Sequence, residues 1–173
     1  MVLTEQLKDS INSYKDFPKN GIVFRDFLPI FQKPALHRDL IQKMSQNNIW
    51  KEIDAIIVID ARGFLLGSSI SLVLNKPLIV ARKPGKLPGQ IIEKSYNLEY
   101  GNNSLSIQKK SIEKYDTFGI VDDLLATGGT VKCLEDILNS CNKEIKMLSV
   151  VIELPSLEGR GKFNFTVESQ VSY

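Results

Sequence analysis

The sequence predicts an α/β fold with a central, mostly parallel sheet and helices on both faces. Two observations predict it. Four short apolar runs, near 55–59, 78–81, 118–121 and 147–152, are separated by helical patterns or a long loop. Two of these runs also end in charge and glycine and lead directly into an amphipathic pattern, a strand–loop–helix unit of the kind that binds ligands at strand C-termini. The 173 residues read as one domain, 1–173, with roughly the first 34 forming a small hood over the ligand edge.

Leu7, Ile11 and Tyr14 recur at helical spacing, which predicts a short amphipathic helix over 4–15. Pro18 and Gly21 then punctuate a turn. The next segment, Gly21-Ile22-Val23-Phe24-Arg25-Asp26-Phe27, fits two readings. It is a strand or loop that packs its apolar side chains, or a lip that offers an aromatic face and backbone groups to a flat base. A helix follows from Pro34 to Ser45, with Pro34 in its first turn and Leu36, Leu40, Ile41 and Met44 on the core face. His37 is the only histidine and falls between those apolar positions, so it reads as a surface residue. Trp50 packs nearby.

The run Ala55-Ile56-Ile57-Val58-Ile59 reads as a central strand. It leads through Asp60-Ala61-Arg62-Gly63-Phe64 into a helix carrying Leu65, Leu66, Ile70, Val73 and Leu74. Arg62 either pairs with Asp60 at the surface or binds phosphate oxygens bidentately. After the strand at 78–81 comes Arg82-Lys83-Pro84-Gly85-Lys86-Leu87-Pro88-Gly89, a loop whose two prolines and two glycines exclude helix and strand. The segments 96–100 and 105–108 read as a hairpin with its tip at 101–104.

The most informative stretch is Phe118 to Leu138. An apolar strand over 118–121 is followed by Asp122 and Asp123, then by Thr127-Gly128-Gly129-Thr130, then by a helix with Val131, Leu134, Ile137 and Leu138 on one face. The adjacent glycines let a ligand approach the backbone, and Thr130 suits the helix start. The orphan N–H groups and dipole of such a start favour an anion. Carboxylates beside an anion site are useful only if they hold a diol or an accompanying cation, which suggests a phosphorylated sugar. The competing reading is an ordinary βα turn with two solvated aspartates. A nucleotide P-loop is excluded, because no Gly-Lys-Ser/Thr follows at its spacing.

Val121-Asp122-Asp123-Leu124-Leu125-Ala126-Thr127-Gly128-Gly129-Thr130 resembles the 5-phosphoribosyl pyrophosphate (PRPP) motif of type I phosphoribosyltransferases. Val23-Phe24-Arg25-Asp26, Arg82-Lys83-Pro84-Gly85-Lys86-Leu87-Pro88-Gly89 and Leu98-Glu99-Tyr100-Gly101 resemble segments of the adenine-specific branch of that family. The resemblance covers nearly the whole chain and implies transfer of phosphoribose from PRPP to N9 of adenine, giving AMP and pyrophosphate. It implies that Phe24 stacks on adenine while the backbone of Val23 and Arg25 reads the base edge. It assigns pyrophosphate to Arg62, Arg82, Lys83 and Lys86, and a strained or cis peptide to the loop carrying Arg62. It assigns ribose 5-phosphate to Asp122, Asp123, Ala126, Thr127, Gly128, Gly129 and Thr130. Residues 82–108 become a mobile loop and flap in which Glu99 moves the purine proton and Tyr100 helps close the site. Mg²⁺ is the implied cofactor, held mainly by PRPP oxygens and water with no direct protein ligand. A homodimer is implied, with Arg82 able to reach a neighbouring site.

A net charge of +2 gives no argument for nucleic acid or a membrane surface. No apolar run is long enough to span a bilayer, and the N-terminus has no signal-peptide core, so a cytoplasmic setting is expected. Cys133 and Cys141, the only cysteines, read as reduced thiols. Two rivals remain: a phosphoribosyltransferase for another base, and a PRPP-sensing transcriptional regulator. The first conflicts with the 23–25, 82–89 and 98–101 segments. The second lacks a DNA-binding appendage. The run Glu153-Leu154-Pro155-Ser156-Leu157-Glu158-Gly159-Arg160 receives no catalytic role, and 163–173 reads as a final edge strand.

Overall fold

In the computed structural model, residues 2–98 and 101–173 are described. The centre is a five-stranded sheet of β3 (Ala55–Ile59), β4 (Leu78–Ala81), β7 (Thr117–Leu125), β8 (Glu144–Glu153) and β9 (Thr166–Ser172), in the order β4-β3-β7-β8-β9. Every neighbouring pair in it is parallel. Strands of this kind are covered on both faces, which is why they read as unbroken apolar runs. All five residues of β3 are buried. Ala55, Ile57 and Ile59 face one core with α5 (Gly129–Asn139), whereas Ile56 and Val58 face another with α2 (Pro34–Met44) and α3 (Gly63–Leu74). The expected α/β architecture with helices on both faces is what forms.

The apolar faces of two helices lie as their periodicity predicts. Leu36, Leu40, Ile41 and Met44 of α2 are buried, as are Val131, Leu134, Ile137 and Leu138 of α5. Trp50 is buried, and its Nε1 donates to the Met44 carbonyl at 2.8 Å. Residues 163–173 do supply the edge strand, β9, parallel to β8.

Four expectations need correction. The N-terminal helix α1 spans only Leu3–Ser10, and Asn12–Lys15 is β1, antiparallel to β2 (Val23–Asp26). Ile11 is buried and anchors the change of direction, while Tyr14 lies opposite Phe24, half exposed. Second, β7 does not stop at Val121. Asp122, Leu124 and Leu125 continue the ladder with β8, because β8 is long enough to satisfy their backbone groups. Third, Gly101–Gln108 is β6 throughout, paired with β5 (Ile91–Leu98) in a register that sets Leu98 opposite Gly101. The supposed tip at 101–104 is therefore strand. Fourth, His37 is half-buried, with its ring edge-on to Phe31 at 4.5 Å, and burial pushes its pKa down. In α3, Leu66 and Ile70 are buried, but Leu65 and Val73 face outward. A short helix, α4 (Lys109–Ile112), joins the β5–β6 hairpin to β7. No helix among the described residues is long and apolar enough to cross a membrane.

Candidate active site

From β3 the chain turns outward to β4 on one side, then returns to place β7, β8 and β9 on the other. The crevice between β3 and β7 is therefore the topological switch point, where ligands of open α/β sheets bind. The loop after β3 and the C-terminal half of β7 meet there. Asp60, Ala61, Arg62, Lys83, Asp122, Asp123 and Thr130 line one cavity of about 200 Å³. Arg62, Asp122 and Asp123 also border an adjoining cavity, walled by Ala126, Thr127, Gly128, Gly129 and Thr130.

The loop between β7 and α5 owes its shape to Gly128. This residue has φ of +76° and caps α5, which begins at Gly129, one residue before the expected start at Thr130. The first turn of α5 faces the second cavity, so orphan N–H groups and the helix dipole favour an anion there. Across the crevice, Gly63 opens α3 against β7. A Cβ at Gly63 would lie 2.9 Å from the Val121 carbonyl oxygen and 3.0 Å from Asp122 Oδ1. Only glycine lets α3 start close enough to hold Arg62 beside the β7 carboxylates. The Asp60–Ala61 peptide in this loop is cis.

The charges are paired across the crevice. Arg62 Nη2 lies 2.8 Å from Asp123 Oδ2, and Arg82 Nε lies 2.9 Å from Asp60 Oδ2. The expected surface alternative, Arg62 with Asp60, does not form, because Asp60 is taken by Arg82. Arg62 Nη1 is buried without an acceptor among the described residues, a costly arrangement that a ligand oxygen would relieve. The Arg62 guanidinium also lies 4.9 Å from the centre of the Phe24 ring. Asp122 accepts a hydrogen bond from the Asp123 N–H at 2.9 Å. Desolvation and then repulsion from Asp123 push the Asp122 pKa well above the ordinary carboxylate value.

Phe24 sits on β2, half-buried, with Phe17 edge-on at 5.2 Å. Val23 is 42% exposed and lies opposite Lys15 in the β1–β2 ladder. Arg25 points elsewhere: its Nη1 donates to Ser13 Oγ, and its guanidinium lies 4.0 Å over the Tyr173 ring. Lys83 reaches the cavity lining, whereas Lys86 is exposed and is not among its lining residues. Arg82 turns inward onto Asp60 of its own chain. Glu99 and Tyr100 lie outside the described residues. Sequence reasoning missed Asp60 as the partner of Arg82, the seat made by Gly63, and the packing of Gly159 and Phe163 against Gly128. The Gly159-Arg160-Gly161 run was the one visible signal for the last of these.

The chain belongs to the phosphoribosyl transferase family, whose domain model matches residues 30–166. Within that family it is similar to the adenine phosphoribosyltransferase of Prochlorococcus marinus (strain MIT 9215). The two are 55% identical over 172 residues, covering 99% of this chain and 100% of the relative. Its fold is similar to the crystal structure of adenine phosphoribosyltransferase from Saccharomyces cerevisiae complexed with adenine and an imino-altritol bisphosphate. That match has a TM-score of 0.90 at 36% identity and covers 98% of each chain. The Trypanosoma brucei adenine phosphoribosyl transferase, in complex with AMP, pyrophosphate and ribose-5-phosphate, matches with a TM-score of 0.88 at 25% identity, over 99% of this chain and 80% of that one.

Proposed function

We infer that the chain transfers the 5-phosphoribosyl group of PRPP to N9 of adenine, giving AMP and pyrophosphate, a purine-salvage reaction. The observation that carries this reading is the meeting, at one switch point, of a glycine-shaped helix start, two adjacent carboxylates and an arginine with a buried unpaired donor. The relatives supply the base, since those named above are adenine enzymes.

Each part has a task. The loop of Ala126, Thr127, Gly128, Gly129 and Thr130 holds the 5′-phosphate at the start of α5. Asp122 and Asp123 accept hydrogen bonds from the ribose diol. Arg62, with Arg82, Lys83 and Lys86, takes the departing pyrophosphate; the arginines exchange their aspartate partners for its oxygens. Phe24 covers the base while the backbone of Val23 and Arg25 reads its edge. Residues 1–34 serve as a hood, and 82–108 as a mobile loop and flap that keeps water from C1. Glu99 in that flap takes the purine proton and Tyr100 helps it close; Glu99→Gln lowers kcat more than PRPP affinity, and a wild-type kcat would remove it from the mechanism.

Magnesium would ride on PRPP oxygens and water with no direct protein ligand; the carboxylates of Asp122 and Asp123 border the cavity and suit a hard cation's water shell. Magnesium, when bound, neutralises charge on the leaving pyrophosphate. A homodimer is supported by an outward apolar stripe on α3, where Leu65, Leu72 and Val73 are 44%, 83% and 57% exposed. The two thiols, Cys133 and Cys141, are unpaired, in keeping with a cytoplasmic setting.

Pyrophosphate release from PRPP and Mg²⁺, with adenine, hypoxanthine, guanine or no base, tests the reading. Release with adenine alone, matched by AMP, is the expected result. Release with another base would refute the assignment of the 23–25 lip. Binding of PRPP without any release would point to a regulator.

A further inference from the structure

The segment after β8 has no part in the roles above, yet it forms the back wall of the phosphate loop. A Cβ at Gly159 would lie 2.1 Å from the Ala126 carbonyl oxygen and 3.0 Å from the Gly128 nitrogen. From the other side, a Cβ at Gly128 would lie 2.9 Å from Phe163 Cζ and 3.1 Å from the Gly159 oxygen. The loop and residues 159–163 are thus in backbone contact, with no slack for either to move alone. The strand residue that leads into the loop is tied in too, since Leu154 N–H donates to the Leu125 carbonyl at 2.9 Å.

What holds the wall is an ion pair between buried Glu153 and half-exposed Arg160. Glu153, at the end of β8, is 6% exposed. Arg160 Nε donates to its Oε1 at 2.8 Å, and Arg160 Nη2 donates to its Oε2. Ser169 Oγ donates to the same Oε2 at 2.6 Å, and Arg160 Nη1 donates to the Val167 carbonyl at 2.6 Å. One guanidinium therefore fastens the 159–163 segment to the end of β8 and to the first half of β9. The hydrogen bonds from Arg160 hold the Glu153 carboxyl below its ordinary pKa. A bidentate arginine fork fixes orientation as well as distance, which lysine cannot do.

We propose that Arg160, clamped by Glu153, is a positioning residue for the 5′-phosphate: it sets the distance of the 159–163 wall from the backbone of Ala126 and Gly128. It rests on the phosphoribosyl reading of that loop. Arg160 itself touches no reacting atom. Its loss lets the wall retreat and the loop relax, so the helix-start donors no longer converge on one phosphate.

The test combines steady-state kinetics with direct calorimetric binding of ribose 5-phosphate, which needs no turnover. Arg160→Met is expected to raise the KM for PRPP and weaken ribose 5-phosphate by about tenfold, from a displacement of a fraction of an ångström, with the adenine KM almost unchanged. Arg160→Lys should recover part of the loss. Gly159→Ala presses on Ala126 without altering the ion pair and should give the same split; it decides the matter if Arg160→Met does not fold. A lower melting temperature with unchanged PRPP and ribose 5-phosphate affinity, or with both substrates weakened equally, would overturn the proposal. If the wild-type chain turns over no base, the catalytic reading has failed, and ribose 5-phosphate affinity still decides the positioning role.

Discussion

Gly63→Ala puts the seating of α3 to the test. The added Cβ would meet the Val121 oxygen at 2.9 Å, Asp122 Oδ1 at 3.0 Å and Asp122 Cα at 3.3 Å, all of them on β7. β7 is a central strand and cannot give way, so α3 must retreat by about half an ångström to restore ordinary contact. Overpacking of this kind costs about 1–3 kcal/mol. At about 2–4 °C per kcal/mol for a chain of this size, melting should fall by roughly 2–12 °C. Arg62 immediately precedes Gly63, so its 2.8 Å contact with Asp123 opens by a similar distance. Misplacement by 1 Å can cost about 100-fold in rate, so half of that predicts about a tenfold loss in kcat/KM for PRPP. Thermal unfolding and initial rates at varied PRPP read the two effects. Gly161→Ala is the control, because a Cβ there meets nothing within 4 Å and should change stability by no more than about 0.5 kcal/mol. If Gly63→Ala keeps both the wild-type melting point and kcat/KM, then close seating of α3 does not set the position of Arg62.

Two further substitutions separate stability from activity. The raised Asp122 pKa means that the folded chain holds a proton the unfolded chain has released. Stability should therefore fall as pH rises from about 3.8, the ordinary aspartate value, through the raised folded value. Asp122→Asn removes that penalty and should stabilise the protein above this window, while sharply lowering kcat/KM; a variant less stable than wild type at pH 8, or fully active, would contradict this. Phe24→Ala should raise the adenine KM by about 5- to 150-fold, from the 1–3 kcal/mol that base–aromatic stacking contributes. An unchanged adenine KM would remove Phe24 from base binding.

The parts of the fold that were legible in the sequence are those set by local period. The faces of α2 and α5 follow from 3.6-residue spacing, and β3 from five consecutive apolar residues. Where a distant partner decides, the local pattern misleads. Tyr14 completes a helical spacing with Leu7 and Ile11, yet residues 12–15 are strand because 23–26 lies alongside to pair with them. Asp122 looks like a strand terminator but stays in β7 because β8 offers a ladder partner, Val150. The same division runs through the site. The candidate residues at 122–130 and at Arg62 could be picked out because each falls in one short stretch where a strand gives way to a helix. Their pairings were not: Arg62 finds Asp123 across 61 positions, and Arg82 finds Asp60 across 22. The Glu153–Arg160–Ser169 network escaped notice because it joins three segments that only the pairing of β8 with β9 brings together.

The Arg62–Asp123 contact carries one more consequence. The crevice holds cations, but each arginine in it is already matched by a carboxylate of its own chain, and Phe24 rests against Arg62. Substrate entry is then a change of partners. On the proposed function, pyrophosphate oxygens that draw Arg62 away would release Asp123 toward the diol and Phe24 toward the base. On that reading one displaced guanidinium would ready two other recognition elements, and until then Arg62 and Arg82 stay matched by carboxylates of their own chain.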